Sequence, residues 1–387
     1  MKTRFFGPAL LGPALTFALT AGGAQGGVFK VVHSFTGADG ANPDGSGVAP
    51  APHGGFYVAT NLGGSSGRGA LTLIKKDGTS QVLHSFTGGS DGEQPSGTPF
   101  QWSVDGNIYG TTEQGGASNC GTIWKYVPGS GAYQQLYAAG CAPEGAYPED
   151  GLADVGGALE GTTFGGGALN DGALIFVRSD GSAGTGCHFS GSDGHAPAAG
   201  ITQVNGNTYA VAQAGGINGN GTITEFHGFT CNTSVLHSFA GGNDGESPMG
   251  SLLFDNNALY GTTVFGGAGT NLGTVFRINL DGSGYTVLHV FQGICCGSDG
   301  SFPHSGLTLN PKDGLLYGTT TKGGNASDNG TVYKIDPNTG AEQVVHSFSG
   351  SDGAQPYGNL YIKKGKIYGT TGGGGANNFG VVFKLKP

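Results

Sequence analysis

The stretch Val82-Leu-His-Ser-Phe-Thr-Gly-Gly-Ser-Asp-Gly-Glu-Gln-Pro-Ser-Gly97 decides the fold, because it comes back along the chain. VVHSF stands at 31–35 and 344–348, VLHSF at 82–86 and 235–239, and VLHVF at 287–291; QQLY at 134–137 and GCHF at 186–189 are weaker copies. The closing aromatics Phe35, Phe86, Tyr137, Phe189, Phe239, Phe291 and Phe348 are spaced by 51, 51, 52, 50, 52 and 57 residues. A fixed period of this length marks an array of one repeated supersecondary unit. Seven units fill the chain and leave no room for a second domain.

Each unit offers four short runs rich in Val, Ile, Thr, Tyr and Phe, bounded by Gly, Asn and Asp, which is the pattern of strands. The first is the VLHSF run, whose period of two sets Val82, His84 and Phe86 on one face. His33, His84, His237, His289 and His346 share one position in it, where units three and four carry Gln135 and Cys187. The second is weaker, as in GTPFQWSV. The third is LYGTT and its variants, with Tyr109, Tyr260, Tyr317 and Tyr368 leading four copies, and the fourth is GTVFRI or GTVYKI. One four-stranded sheet cannot bury two apolar faces alone, whereas radial stacking buries each sheet against its neighbours. The expected fold is all-β: a seven-bladed β-propeller of four-stranded antiparallel blades, its ring closed by the N-terminal strand in the last blade. Tight second-to-third and fourth-to-first connections make hairpins. The longer first-to-second link crosses between blades, which puts the second run innermost and the VLHSF run outermost.

Composition supports this. Glycine supplies 81 of 387 residues and disfavours helices, while 36% hydrophobic residues suffice for a core. A net charge of -9 argues against a nucleic-acid partner. Lys2 and Arg4 precede an apolar run from Phe5 to Ala21 and then small residues, the order of a cleaved export signal. The division is a signal peptide over 1–24 and one propeller domain over 25–387, with no membrane span in the mature chain and a monomeric state expected. An exported chain permits disulfides. Cys120 and Cys141 fall on the same rim and are expected to pair.

Asp39, Asp91, Asp193, Asp244, Asp299 and Asp352 each precede a glycine, with a proline three residues further on. They read as structural turns, since Asp bonds the backbone just after it. Calcium is the competing cofactor, but one aspartate per unit is a thin supply of oxygen ligands. The five repeated histidines likewise read as packed sheet residues, because a catalytic histidine acts once. A functional site should break the repeat. Units three and four depart most, so Glu144, Tyr147, Glu149, Asp150, Glu160, His188 and His195 are the candidate binding or active-site residues.

The motifs VLHSFTGGSDGEQPSG, LYGTT and NLGTVFRI together resemble the tandem repeat of the choice-of-anchor GloVer-type bacterial proteins, over about residues 29–387. The resemblance implies export and often a cell-surface location, and brings no catalytic residues to carry over. With Phe383-Lys-Leu-Lys-Pro387 as the last residues and no sorting tail, release into periplasm or medium is expected as readily as surface attachment. The functional expectation is a noncatalytic binding or structural module for polysaccharide or an envelope protein. The alternative is a secreted carbohydrate-active hydrolase or lyase with its site on the loops of units three and four.

Overall fold

The computed structural model describes residues 28–228, 230–293 and 299–387. The expected export signal, Cys295 and Cys296 lie outside the described residues. Seven four-stranded antiparallel sheets follow one another. Blade 1 runs Ala49–Pro50, Phe56–Thr60, Ala70–Ile74 and Ser80–Ser85 from axis to periphery. Blade 7 runs Tyr361–Lys363, Lys366–Thr371, Val381–Lys386 and, as its outermost strand, Val28–Ser34. The innermost strands are two or three residues long except Glu93–Gln101 in blade 2. Among the described residues no helix is long and apolar enough to cross a membrane.

The expectation that the N-terminal strand closes the ring is corrected in what does the closing. Val28–Ser34 pairs with Val381–Lys386 inside the seventh sheet, but among the described residues no sheet closes on itself and no strand ladder joins one blade to the next. Blades meet face to face, so their strand edges point at the axis and at solvent and cannot pair across the junction. Side chains close the ring instead. Phe35, Val58 and Val382 share one core cluster, Phe56 meets Tyr368 at 4.8 Å between ring centres, and the Thr370 hydroxyl donates to the Ser46 carbonyl. The same bond recurs at other junctions, from Thr162 to the Ala199 carbonyl at 2.7 Å and from Thr262 to that of Ser305 at 3.0 Å.

The glycine of the YGTT motif makes room for an aromatic ring on the neighbouring strand. Gly261 faces Phe276, Gly318 faces Tyr333 and Gly369 faces Phe383. A Cβ on Gly369 would stand 2.7 Å from the Phe383 ring. Where the ring is absent the need lapses: Val58 faces Thr72 and Ala210 faces Thr224.

The outer strand departs from simple alternation. Each carries a bulge: His84 faces Leu71 but Val82 faces Thr72, so Leu83 is the unpaired residue. Leu83 therefore turns to the core and Val82 to solvent, rather than Val82 sharing a face with His84. In unit three the bulge places Tyr137, not Gln135, at the histidine position, and Ala139 takes the buried aromatic's place. In unit four the histidine position is Cys187, which is disulfide-bonded to Cys231; Cys120 and Cys141 form a second disulfide among the described residues, with Cα atoms 5.4 Å apart.

Gly369→Ala should lower the urea-unfolding free energy by about 1–3 kcal/mol through overpacking. Gly129→Ala, where an added Cβ meets nothing within 4 Å, should leave it within about 0.5 kcal/mol. Equal midpoints for the two variants would contradict this account of the motif.

Candidate active site

The repeated Asp and His residues meet at blade junctions. His84 Nε2 lies 2.9 Å from the Asp91 carboxylate, and the same carboxylate accepts the Thr87 backbone N–H at 2.7 Å. Burial alone would raise Asp91, but the hydrogen bonds from His84 and Thr87 hold it below its ordinary value. The pairs His33–Asp39, His237–Asp244, His289–Asp299 and His346–Asp352 repeat the contact at 2.8–3.0 Å. Unit three builds it from Tyr137 and Glu144, 2.7 Å apart.

A residue of the next blade's outer strand covers each pair. Tyr133 stacks on His84 and Tyr285 on His237 at 3.8 Å, and Phe29 stacks on His346 at 3.9 Å. Ser80 and Thr233 instead donate hydroxyls to Asp39 and Asp193. The exception is Glu342, which brings a carboxylate to His289 and Asp299. The three offer ligand atoms within 4.8 Å of one another, the one such group of three among the described residues. Glu342 Oε1 is buried without a hydrogen-bond partner, and burial, then repulsion from Asp299, pushes its carboxyl to about 8. These residue types suit a divalent cation, though a cation here would displace the 2.8 Å bond between His289 and Asp299.

A second group of ionisable residues gathers on the axis. The residue after the proline of each crossing link turns toward the central opening, and Asp44, Glu149, Ala198, Met249, His304 and Tyr357 line one cavity of about 260 Å³. In blade 2 that residue is Ser96, whose hydroxyl goes to the Pro148 carbonyl. There Glu113, at the axial end of strand Ile108–Gln114, supplies the group instead. Burial, with repulsion from Glu149 and Asp44, raises Glu113 to about 7, and burial raises Glu149 to about 7. Burial raises Asp44 as well. In the same cavity His304 is pushed down to about 4 by burial and stands neutral, edge-on to Tyr357 at 5.0 Å. The chemical result is a pocket whose carboxyls are raised toward neutral pH and which also holds a neutral imidazole and a neutral phenol.

The structure scatters the residues singled out from units three and four. Glu149 and Asp150 reach the axial cavity. Asp150 also ties three blades together, accepting the N–H groups of Gly151 at 2.6 Å and Gly200 at 2.5 Å and the Ser251 hydroxyl at 3.2 Å. Glu144 is the partner of Tyr137. Glu160 lies between blades 3 and 4, accepting from Thr208 at 3.2 Å. His195 pairs with Asp171 at 2.7 Å on the surface, His188 is exposed, and Tyr147 is 42% exposed. Asp44, Glu113, His304 and Tyr357 were not anticipated. The signal for Asp44, His304 and Tyr357 is the column after the proline, which reads Asp44, Ser96, Glu149, Ala198, Met249, His304, Tyr357 while its flanks repeat; Glu113 lies outside that column.

The model of the Gloeobacter/Verrucomicrobia repeat matches residues 12–224 and 204–387. The chain belongs to this family. No curated protein matches the sequence. Among solved structures, the family's fold in this chain is similar to virginiamycin B lyase from Staphylococcus aureus, at 14% identity and a TM-score of 0.59 over 93% of this chain and 100% of that one. It is similar to the extracellular domain of a one-component system from B. thetaiotaomicron, at 13% identity and a TM-score of 0.58, covering 92% of this chain and 40% of that one. It is also similar to oligogalacturonate lyase from Vibrio parahaemolyticus, at 12% identity and a TM-score of 0.51 over 86% of each. At these identities the likeness is one of fold.

The expectation of a noncatalytic module is corrected here. A passive surface gains nothing from stripping water off ionisable groups, because each buried carboxyl costs stability. This chain strips water from the His289–Asp299–Glu342 group and from the axial acids. Strongly shifted groups converging in a cleft make that cleft a candidate functional site.

The raised carboxyls fix a pH signature. Glu342 moves from its ordinary 4.5 to about 8 on folding. Stability is therefore full below about 4.5 and falls as pH rises through 8. Glu342→Gln should remove this component, stabilising the fold at pH 8.5 by roughly 1–3 kcal/mol after allowance for partial exposure, and by little at pH 4.5. Denaturant unfolding at the two pH values checks it; a variant no more stable at pH 8.5 than the parent would contradict it.

Proposed function

We propose that the chain is a carbohydrate-active hydrolase that works in the axial pocket, with Glu113 and Glu149 as its acid–base pair. The observation that carries this reading is the pair's two carboxyls near 7, coupled by repulsion and facing a solvent-open cavity. Coupled carboxyls titrate as a pair, so at neutral pH one holds a proton while the other is ionised. The protonated member donates its proton to the glycosidic oxygen as the C–O bond breaks. The ionised member takes a proton from the attacking water as the new C–O bond forms. Asp44 adds a third carboxyl to the pocket, and neutral Tyr357 and His304 offer a face and a hydrogen-bonding edge to the ring.

Hydrolysis fits the pocket better than elimination. Oligogalacturonate, on which one structural neighbour acts, bears carboxylates that elimination must neutralise. Among the described residues no lysine or arginine lines this cavity, and its own charge is acidic. The substrate class favoured is a neutral or amino-bearing glycan. With the amino-terminal segment read as an export signal, the substrate lies outside the cytoplasm.

Reducing-end release from a panel of neutral and amino glycans tests the reading. Glu113→Gln and Glu149→Gln should each lower turnover by about 10²–10⁴-fold with an unchanged fold by circular dichroism, and the parent's pH profile should be bell-shaped about neutrality. Folded variants that keep full turnover, or a parent inert on every glycan, would overturn it.

A further inference from the structure

The rim opposite the axial pocket carries a concentration of positive charge that the overall net charge of -9 conceals. Hairpin turns, not crossing links, form this rim. At the seam where blade 7 meets blade 1, a cavity of about 460 Å³ is lined by seven lysines. Lys363, Lys364 and Lys366 come from the blade 7 hairpin, Lys75 and Lys76 from the end of the third strand of blade 1, and Lys30 and Lys384 from the two outer strands of blade 7. A second cavity of about 300 Å³ shares Lys364 and Lys366 and adds Lys312, Lys334 and Lys386. A third, of about 540 Å³, shares His53, Lys75 and Lys76 with the first. The three form one groove from blade 6 across blade 7 to blade 1.

Ten of the chain's 17 lysine and arginine residues therefore stand along one groove. Asp77 and Asp313 are the acids among its lining. Among the described residues none of the ten lysines is in a salt bridge; the lysine and arginine ion pairs are Arg68–Glu93 and Lys322–Asp328, elsewhere on the molecule. Unpaired like charges this dense repel one another, and the cost is recovered only when an anion enters. The groove also has an aromatic wall where Phe56 and Tyr368 meet. His53 stands at the junction of two of the cavities in a left-handed backbone conformation with φ of 60°.

We infer that this groove is a binding site for an anionic polysaccharide, one whose carboxylate or sulfate groups recur along an extended chain. Linked cavities fit a polymer better than a single small anion. Lysine ammoniums on flexible stems suit charges spaced along a sugar chain, and among the described residues the groove has no arginine for bidentate phosphate recognition. Phe56 is 7% exposed, so it offers no platform for successive stacked bases of a single-stranded nucleic acid. A recessed groove does not lie flat on a membrane. The site shares no residue with the axial pocket and stands independently of the hydrolase reading.

The test is fluorescence-anisotropy binding of labelled polygalacturonate and heparin oligosaccharides to the mature chain. Single-stranded DNA of equal charge and phosphatidylserine vesicles serve as competing probes, at 20 and 200 mM salt. Binding of at least one oligosaccharide is expected, weakening at least tenfold at the higher salt. The quadruple variant Lys75→Gln, Lys76→Gln, Lys363→Gln, Lys364→Gln should bind at least tenfold more weakly, whereas Lys125→Gln should bind as the parent does. Thermal unfolding verifies that both variants fold. Two single variants, Lys76→Gln and Lys364→Gln, stand in if the quadruple does not, each with at least a twofold loss. Absence of oligosaccharide binding at 20 mM salt, binding indifferent to the substitutions, or tighter binding of DNA or vesicles would overturn the inference.

Discussion

Backbone crowds backbone around the axis of this molecule, and the rest of the architecture follows from that approach. The links entering the inner strands come so close that a Cβ on Gly47 would sit 2.6 Å from the Asn359 carbonyl oxygen, and one on Gly250 or Gly358 would sit 2.5 Å from that of Ser305 or Ser46. Glycine is what lets neighbouring blades meet here. With the backbone packed this tightly, the residue just after each proline has the central opening to turn toward. The axial cavity and its lining are thus a consequence of ring packing, and the seven blades decide its chemistry one side chain at a time.

The periphery obeys a different rule. There five junctions are sealed by a histidine–aspartate pair, and unit three by Tyr137 and Glu144, under whatever the next blade lays over them. Tyr133, Tyr285 and Phe29 seal by stacking, Ser80 and Thr233 by hydrogen bonding. Glu342 does neither and leaves a buried oxygen without a partner. The contrast separates structural repetition from chemical exception: five repeated histidines and their aspartates hold blades together, with Asp39, Asp91 and Asp299 lowered, while the departures on the axis and at Glu342 carry raised carboxyls.

Much of the fold was legible because spacing survives substitution. The aromatic of unit three could be mistaken by two positions and the period still appeared. The bulge was not legible, since one extra residue in Val-Leu-His-Ser-Phe leaves no mark in composition; only pairing reveals that Leu83 points inward. The site was half legible. Glu149 and Asp150 stood out because unit three departs as a whole, but Asp44, His304 and Tyr357 sit in otherwise regular units and appear only when the units are compared column by column. Glu113 comes from a different strand and needed the fold itself. The lysine groove was hidden by averaging, as an acidic total masked cations that folding gathers from the first 76 and last 76 residues of the sequence.

The functional account depends on carboxyls that keep protons at neutral pH on the axis. Carboxyl carbon NMR of the chain labelled at glutamate, with Glu113→Gln and Glu149→Gln used to assign the signals, reads this without any substrate. The account predicts that the two titrate with apparent values near 7 in the parent, and that removing either lowers the other by relief of repulsion. Titration of both near 4.5, indifferent to each other, would contradict it.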